Sequence, residues 1–263
     1  MDDGPEIGPG SVAGFYEAHD ESVRLDFGVG RVELLRTQEL LRAALPPARA
    51  RVLDVGGADG VHAAWLKEDG YDVEIVDVVP LHVDRARVRG FAAQLGDARS
   101  LAYDDRTVDV VLLLGPLYHL PDRSERMKAL REAHRVLRRG GFLAAAAVSR
   151  MAVPIDWLRD GSFAEPQGKA VARRIAATGS DDTGSGAGVF YFHTVAELEH
   201  EARDAGFEGV VVRGIEGPAW PLVNHTCPPD DPLVSDVIEV ARLADLEEAT
   251  VGASAHLLAL ARA

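Results

Sequence analysis

A short turn in the first quarter of the chain combines an acidic side chain with small residues at alternate positions. The residues in this pattern are Asp54, Gly56, Ala58 and Gly60. Glycine has no Cβ, so a ligand can lie against its backbone and the chain can turn there with a positive φ. The turn follows an apolar run over 51–55 and precedes a helical pattern over 61–69, whose first N–H groups would be unpaired donors. This order predicts a nucleotide-type site at the carboxyl end of a parallel strand.

The spacing of the glycines argues against two common phosphate-binding motifs. A dinucleotide fingerprint that begins at Gly56 would need glycines at the next two motif positions, where the chain has Ala58 and Val61. A P-loop would end in Gly-Lys followed by Ser or Thr, which this turn lacks. An NAD(P)-dependent oxidoreductase is therefore a weaker alternative. A tight turn that binds no ligand is the other alternative.

Asp77 ends the second predicted strand, over 71–79, and lies 23 residues after Asp54. An acidic side chain at this position can accept hydrogen bonds from both ribose hydroxyls of a bound nucleoside. The alternative is a carboxylate that caps the following segment. We favour the ribose contact.

Two further candidates follow predicted strands. Asp97 comes after the third strand, over 91–95, and His119 lies in the loop after a near-continuous apolar run over 107–114. Such a run is typical of a strand that is buried on both faces of a parallel sheet. Loops at the carboxyl edge of an open α/β sheet carry the reacting groups, so this edge is the predicted site.

Taken together, these segments resemble the motifs of the class I S-adenosyl-L-methionine (SAM) methyltransferases. The segments that carry the resemblance are Asp54–Gly60, Asp77, Gly96-Asp97-Ala98, Gly115-Pro116-Leu117-Tyr118-His119-Leu120 and Leu137-Arg138-Arg139-Gly140-Gly141. The middle glycine of the first motif is Ala58 here, a mild departure. The resemblance covers residues 12–263 and is strongest to the small-molecule methyltransferases of bacterial and secondary metabolism.

The resemblance implies SAM as cofactor, S-adenosyl-L-homocysteine as product, and a set of contact residues. The implied cofactor contacts are Asp54, Gly56, Gly57, Ala58, Gly60, Asp77, Asp97, Ala98 and Leu114. In this family an acidic residue at the position of Asp97 binds the adenine amino group, and the next backbone N–H meets a ring nitrogen. The expected substrate contacts are Tyr16, Tyr118, His119 and His193. Tyr16 could equally be a packed aromatic residue.

The elements that must position these residues alternate between strands and helices. Over 51–148 this alternation predicts right-handed βαβ crossovers and a parallel sheet. We expect an α/β, Rossmann-like fold with a seven-stranded, mostly parallel sheet and helices on both faces. The helix before the fifth strand is predicted to run to Arg138, with that strand starting at Phe142. Two terminal strands, over 210–214 and 255–260, complete the sheet, and the last is expected to be antiparallel.

Two regions lie outside this alternation. The resemblance implies that residues 1–45, an arm followed by helices, cover the cofactor site ahead of a methyltransferase domain over 46–263. Residues 149–192 interrupt the pattern after the fifth strand. Their aromatic residues and a glycine-rich tract over 179–188 predict a cap over the substrate. A surface insertion without a role is the alternative.

Composition narrows the range of partners. The chain has 263 residues, a net charge of −14 and 47% hydrophobic residues, with a pI of about 5.0. A nucleic-acid backbone calls for a basic face, so nucleic acid and anionic membranes are not expected as partners. The single cysteine, Cys227, is typical of a reducing compartment, and we expect a cytoplasmic protein with a small-molecule substrate.

The chemistry that follows is simple. Methyl transfer from a sulfonium is an in-line displacement, for which a protein mainly aligns the partners and excludes water. His119 is the predicted base for a protonated acceptor because an unperturbed imidazole titrates near neutral pH, although Tyr118 and His119 could instead shape the loop. His193 is a second choice, and no metal is predicted. We therefore predict methyl transfer to an oxygen or nitrogen of a small metabolite. The alternative is a protein of the same fold that uses SAM for a non-methylating reaction or for regulation.

Overall fold

The computed structural model describes residues 21–181, 190–245 and 247–263. Within these ranges the strands are β1 (Arg51–Val55), β2 (Asp72–Asp77), β3 (Ala92–Leu95), β4 (Val108–Leu113), β5 (Leu137–Ser149), β6 (Ser180–Asp181), β7 (Phe190–His193), β8 (Glu208–Gly214) and β9 (His256–Arg262). The α-helices are α1 (Gly28–Ala44), α2 (Val61–Glu68), α3 (Pro80–Val88), α4 (Arg123–Val136), α5 (Ala152–Asp160), α6 (Pro166–Thr178), α7 (Val195–Asp204) and α8 (Pro232–Ala244). Short 3-10 helices cover Glu21–Asp26, Pro116–His119, Ser162–Ala164, Trp220–Leu222 and Glu248–Ala253.

Seven strands form the main sheet in the order β3-β2-β1-β4-β5-β9-β8. All neighbours are parallel except β9, which runs antiparallel to β5 and to β8. The predicted α/β, Rossmann-like fold with a seven-stranded, mostly parallel sheet is therefore confirmed, including the antiparallel last strand.

Helices cover the central strands from both sides. In β4, Val111 and Leu113 pack in the core cluster that contains residues of α4 and α7. Val110 and Leu112 point to the opposite cluster, with residues of α1 and α2. All four side chains are fully buried. Because both faces exclude water, every position of this strand except Asp109 is apolar, and its sequence shows no regular alternation.

The boundary between α4 and β5 differs from the prediction. The helix ends two residues early, and the strand begins at Leu137 rather than at Phe142. Leu137 is buried and pairs with Val108 of β4, while the guanidinium of Arg138 contacts Asp109 at 2.5 Å. These contacts hold the backbone extended, so the glycine pair that was expected to end the helix lies within the strand.

The segment after β5 contains two strands that the sequence pattern did not predict. β7 pairs in parallel with the last two residues of β5, and β6 pairs with β7. In front of them, α5 and α6 share a small core with this hairpin, built around Val171, Ile175 and Phe192. The insertion over 149–192 thus packs at the carboxyl end of β5. Its cap function stays a prediction, and the glycine-rich tip of its loop lies outside the described residues.

At the N-terminal side, the helices expected within residues 1–45 include α1, which begins at Gly28 and ends at Ala44. The N–H of Gly28 donates to the carbonyl of Cys227 at 2.8 Å, which anchors the start of the helix. Tyr16 lies outside the described residues. In the ranges that the structure covers, no helix is long and apolar enough to cross a membrane.

Candidate functional site at the carboxyl edge of the sheet

The glycine turn after β1 is shaped by contacts within the protein. Gly56 and Gly60 have φ values of 75° and 92°, in the left-handed region that favours glycine. A Cβ on Gly56 would lie 2.8 Å from the ring of Pro116, and one on Gly60 would lie 2.8 Å from the ring of Phe91. The two glycines therefore serve the packing of the turn itself, whatever ligand the turn admits.

Ala58 replaces the middle glycine of the motif but keeps a left-handed backbone, with φ of 48°. Such a conformation costs an L residue about 1–2 kcal/mol. A hydrogen bond supports it, because the N–H of Ala58 donates to Oδ2 of Asp77 at 2.9 Å. The turn after β1 and the acidic end of β2 thus form one unit.

Asp54 lies beneath this turn, with 1% of its surface exposed. A Cβ on Gly57 would lie 2.7 Å from the Asp54 carboxylate, so the turn covers the acid directly. Its Oδ2 finds no hydrogen-bond partner in the described part of the chain. Burial, and next the charge of Asp77, raise the pKa of Asp54 to about 7. Asp54 is a buried acceptor that a ligand donor could satisfy.

Asp77 is also buried, and its carboxylate already holds the local backbone. Besides the contact with Ala58, its Oδ1 accepts from the N–H of Val79 at 2.8 Å and lies 3.3 Å from Nδ1 of His82. The capping contact that was the alternative to ribose binding therefore exists. Each carboxylate oxygen has further acceptor capacity, so the ribose contact stays a prediction.

Asp97 sits at the end of β3, next to Gly96, whose N–H donates to the Asp77 carbonyl at 3.0 Å. Its carboxylate is paired with Arg99, at 2.5 Å. Burial would raise the pKa of Asp97, but the hydrogen bonds from Arg99 outweigh this and lower it. A ligand amino group would therefore compete with Arg99 for this acid.

The other two predicted cofactor contacts also follow strands of the sheet. Ala98 is buried and Leu114 is half-buried.

Tyr118 and His119 lie on the 3-10 helix after β4 and contact the insertion. The His119 ring centroid is 4.7 Å from that of Tyr118 and 5.0 Å from that of Phe190 at the start of β7. Burial lowers the pKa of His119 to about 4, although the charge of Asp77 acts in the opposite sense. His119 is therefore neutral at physiological pH and a weak proton acceptor.

His193 lies elsewhere, in a buried ionic network. Its side chain is fully buried, and Nε2 lies 3.3 Å from Glu201, which also forms a 2.7 Å ion pair with Arg126. Burial lowers the pKa of His193. Since the network ties α4, β7 and α7 together, this placement explains His193 as a packing residue, and its substrate contact stays a prediction.

A second group of ionisable residues at the same edge was missed. His256 opens β9, Glu216 follows β8, Glu33 comes from α1 and Arg24 from the preceding 3-10 helix. Nδ1 of His256 lies 2.5 Å from Glu216 and 3.8 Å from Glu33, which pairs with Arg24 at 2.6 Å. Glu33, Glu216 and His256 each offer one side-chain atom that lies within 4.8 Å of the other two. Because the hydrogen bond between His256 and Glu216 already joins two of these residues, we assign no metal.

The charges in this group differ from those around the glycine turn. Burial would lower the pKa of His256, but Glu33 and Glu216 raise it to about 9. Burial would likewise raise the pKa of Glu33, but Arg24 and His256 lower it to about 2. His62, two residues after Gly60, has a pKa lowered by burial to about 4. These residues are distant in sequence and form no local motif, so only the fold could bring them together.

Comparison with known proteins agrees with this architecture. Residues 53–145 match a family model described as a methyltransferase domain. An uncharacterized methyltransferase of Mycobacterium tuberculosis is 35% identical over 59% of this chain and 65% of its own length. The 27-O-demethylrifamycin SV methyltransferase of Amycolatopsis mediterranei is 32% identical over 60% of this chain and 58% of its own length. The matched part thus spans less than two thirds of either relative.

Among solved structures, a SAM-dependent methyltransferase of Thermotoga maritima superposes with a TM-score of 0.58. The two chains are 20% identical, and the match covers 94% of this chain and 96% of the other. At this identity the likeness shows the fold. Residues 53–145, from β1 to β5, therefore match a methyltransferase domain, and the chain as a whole has a fold similar to that of the class I SAM-dependent methyltransferases.

Proposed function

We propose that this protein is a SAM-dependent methyltransferase that transfers a methyl group to an oxygen or nitrogen of a small-molecule metabolite. The observation that carries the proposal is the unit formed by the glycine turn, Asp54 and Asp77 at the carboxyl edge of the sheet. In an open α/β sheet this is where a nucleoside ligand binds.

The residues present fit the cofactor. Asp54 keeps a buried carboxylate oxygen without a described partner, and four of the five residues of the turn above it are glycine or alanine. We infer that Asp77 accepts from the ribose and that Asp97, released in part from Arg99, accepts from the adenine amino group. Gly56, Gly57, Ala58 and Gly60 would face the methionine half of the cofactor, and Ala98 and Leu114 its adenosine half.

When bound, SAM supplies a methyl group on a sulfonium, which is an excellent leaving group. The tasks of the protein are then to bind both partners, to align them and to exclude water. Tyr118 and His119 follow β4 at the same edge, and their rings, which contact each other at an interplanar angle of 54°, would line the acceptor side. Because His119 is neutral at physiological pH, it would act there as a hydrogen-bonding group, and as a base only weakly.

The two flanking regions fit the same picture. The segment over 1–45, with Tyr16, would cover the cofactor and the acceptor, and the insertion over 149–192 would act as a cap. Support comes from the packing of Phe190 against His119, since a side chain of the insertion directly touches the loop after β4. Closure of such a segment shields a reaction from water.

An acceptor screen tests the proposal. The protein would be incubated with SAM and panels of hydroxylated and amino metabolites, and S-adenosyl-L-homocysteine would be quantified by mass spectrometry. We expect product to accumulate with at least one acceptor, together with the methylated acceptor itself. Reactions without SAM and reactions without acceptor are the controls.

Two results would count against it. Binding of SAM with no product from any acceptor would favour the alternative, a protein that uses the cofactor for a non-methylating reaction or for regulation. Failure to bind SAM would contradict both methyl transfer and the non-methylating alternative.

A further inference from the structure

We propose that His256 and Glu216 form an acid–base dyad on the acceptor side of the site, in which Nε2 of His256 takes the acceptor proton and Glu216 positions the ring. The proposal rests on the methyl transfer proposed above. In the step, a lone pair of the acceptor oxygen or nitrogen forms the new bond to the methyl carbon. The carbon–sulfur bond breaks with its electrons left on sulfur, and the acceptor proton moves to Nε2 and then to solvent.

Glu216 is built to hold one orientation. It is fully buried, and its Oε2 accepts from the hydroxyl of Ser254 at 2.8 Å and from the N–H of His256 at 2.9 Å. Its Oε1 faces Nδ1 of His256 at 2.5 Å. Ser254 is itself fixed, since its Oγ accepts from the N–H groups of Glu216 and Gly217. A carboxylate with both oxygens engaged in this way is a rigid support for an imidazole.

The ring of His256 has one nitrogen left for a ligand. Because Glu216 accepts the proton on Nδ1, the neutral tautomer has its lone pair on Nε2. Among the residues that the structure describes, Nε2 has no hydrogen-bond partner, and 22% of the side chain remains exposed. Orientation of one ring nitrogen by a buried carboxylate, with the other nitrogen accessible, is the arrangement of a general base.

The dyad lies on the edge of the sheet where the cofactor is expected. His256 pairs with Val148 near the carboxyl end of β5, and Glu216 follows the end of β8. Glu33 of the same group influences the pKa of His62, which lies two residues after Gly60. The base therefore shares the carboxyl edge of the sheet with the first motif.

The surroundings of the ring decide when it acts. Glu33 from α1 and Glu216 after β8 raise the pKa of His256, whereas Arg24 from the 3-10 helix and burial lower it. His62 on α2 is the neutral neighbour, its Nδ1 accepting from Nε1 of Trp65 at 3.3 Å. Below its pKa of about 9 the imidazolium could donate to an acceptor but not take its proton. The rate with a protonated acceptor should therefore rise towards alkaline pH.

The first test needs no acceptor. Protein labelled with 15N-histidine would be titrated by NMR, with the His256 signals assigned through His256→Asn. We expect His256 to titrate near pH 9 in the wild-type protein and at least one pH unit lower in Glu216→Gln. A His256 that titrates near pH 6.5, or that is unaffected by Glu216→Gln, would overturn the dyad whatever the protein catalyses.

The second test uses the first acceptor that yields S-adenosyl-L-homocysteine. His256→Asn keeps a donor towards Glu216 and removes Nε2, so it should fold, bind SAM with unchanged affinity and lose about 100-fold or more in kcat. Imidazole added to His256→Ala should restore part of the rate. Glu216→Gln should move the acidic limb of the pH profile to lower pH. His200→Asn, exposed on α7, is the matched control and should behave as wild type.

The outcomes distinguish a failure of the dyad hypothesis from a failure of the proposed function. Turnover by the wild-type protein that persists in His256→Asn would overturn the dyad and leave methyl transfer standing. Turnover that is lost in EDTA and restored by a divalent cation would also overturn it, because the cluster would then hold a metal. Absence of turnover by the wild-type protein would count against the proposed function, while the NMR titration would still report on the dyad.

Discussion

His119 and His256 lie at the same edge of one sheet, yet at neutral pH the first ring is uncharged and the second is positively charged. Burial lowers the pKa of both rings. Nothing strong opposes it at His119, whose pKa is about 4, whereas two carboxylates overcome it at His256, whose pKa is about 9. Two acids at this edge also differ in pKa. The pKa of Asp54, which has no cation beside it, is about 7, whereas that of Glu33 beside Arg24 is about 2.

The comparison shows that neighbours, rather than depth, set the charge of each group. On the glycine-turn side Asp54 is partly protonated near pH 7 and His119 is neutral, and Oδ2 of Asp54 has no partner among the described residues, as expected of a surface that receives a ligand. The β8–β9 side compensates its charges internally, as expected of a group that holds a proton in place. Four substitutions test this contrast.

The largest effect is expected for Asp54→Asn. Asp54 titrates at about 7 in the fold instead of at its ordinary value of 3.8, so the folded protein binds the extra proton and its stability falls as pH rises between these values. The difference corresponds to roughly 4 kcal/mol. Urea unfolding at pH 4 and pH 8 should show this loss in the wild-type protein and a much smaller one in Asp54→Asn.

Asp72→Asn is the control for that measurement. Asp72 lies at the exposed start of β2, so it should keep the wild-type pH dependence. Equal losses in wild type and Asp54→Asn would mean that Asp54 is ionised in the fold, and the contrast with Glu33 would disappear.

His256→Asn should remove a stabilising contribution, whereas Asp54→Asn removes a destabilising one. The pKa of His256 is raised from 6.5 to about 9, so its contribution is fully present below pH 6.5 and is lost as pH rises through 9. The difference corresponds to roughly 3 kcal/mol. Free energies of unfolding at pH 6 and pH 10 should converge for wild type and variant at the higher pH. A constant gap between them would show that the ring is not charged.

Asp77→Asn should weaken SAM binding. The variant keeps the side-chain shape and one acceptor oxygen, but it loses the charge that would hold the ribose. Loss of a charge-assisted hydrogen bond corresponds to roughly 1.5–3 kcal/mol, or about 10–100-fold in affinity, measurable by equilibrium dialysis with labelled SAM. Asp72→Asn on the same strand should bind normally. If a folded Asp77→Asn variant bound SAM as tightly as the wild-type protein, the role of Asp77 would be limited to accepting the hydrogen bond from the N–H of Val79.

Ala58→Gly should have the smallest effect. Glycine removes the left-handed strain of about 1–2 kcal/mol but adds roughly 0.4–1 kcal/mol of backbone entropy to the unfolded chain. A gain of about 0.5–1 kcal/mol in the free energy of unfolding should remain. Ala64→Gly, in the interior of α2, should instead destabilise the protein by about 1 kcal/mol. A destabilising Ala58→Gly would show that the alanine methyl group packs usefully in the turn.

Patterns that are local in sequence predicted the fold and the glycine-turn side of the site. The apolar run over 107–114 and the turn at 56–60 each carry their signal within a dozen residues, and both lie where they were expected. Errors arose where tertiary contacts decided. Leu137 joined β5 because it pairs with Val108, and the short β7 depends on the end of β5 for its pairing.

The β8–β9 side could not be predicted for the same physical reason. Glu33, Glu216 and His256 belong to three elements that only the antiparallel insertion of β9 and the packing of α1 bring together. His193 illustrates the converse. Its position after an aromatic run predicts a substrate contact, which stays a prediction, while its burial beside Glu201 could not be read from any local pattern.

The central claim is that the carboxyl edge of the sheet binds SAM. Calorimetric titration of the wild-type protein with SAM, and separately with NADH as the cofactor of the alternative class, tests it most directly. The glycine turn, with Asp54 and Asp77, predicts saturable one-to-one binding of SAM and of S-adenosyl-L-homocysteine, with NADH much weaker. Proton uptake or release measured in buffers of different ionisation enthalpy should accompany binding near pH 7, because a ligand donor at Asp54 would lower its pKa. No heat from SAM, or tighter binding of NADH, would contradict the assignment of this edge as a SAM site.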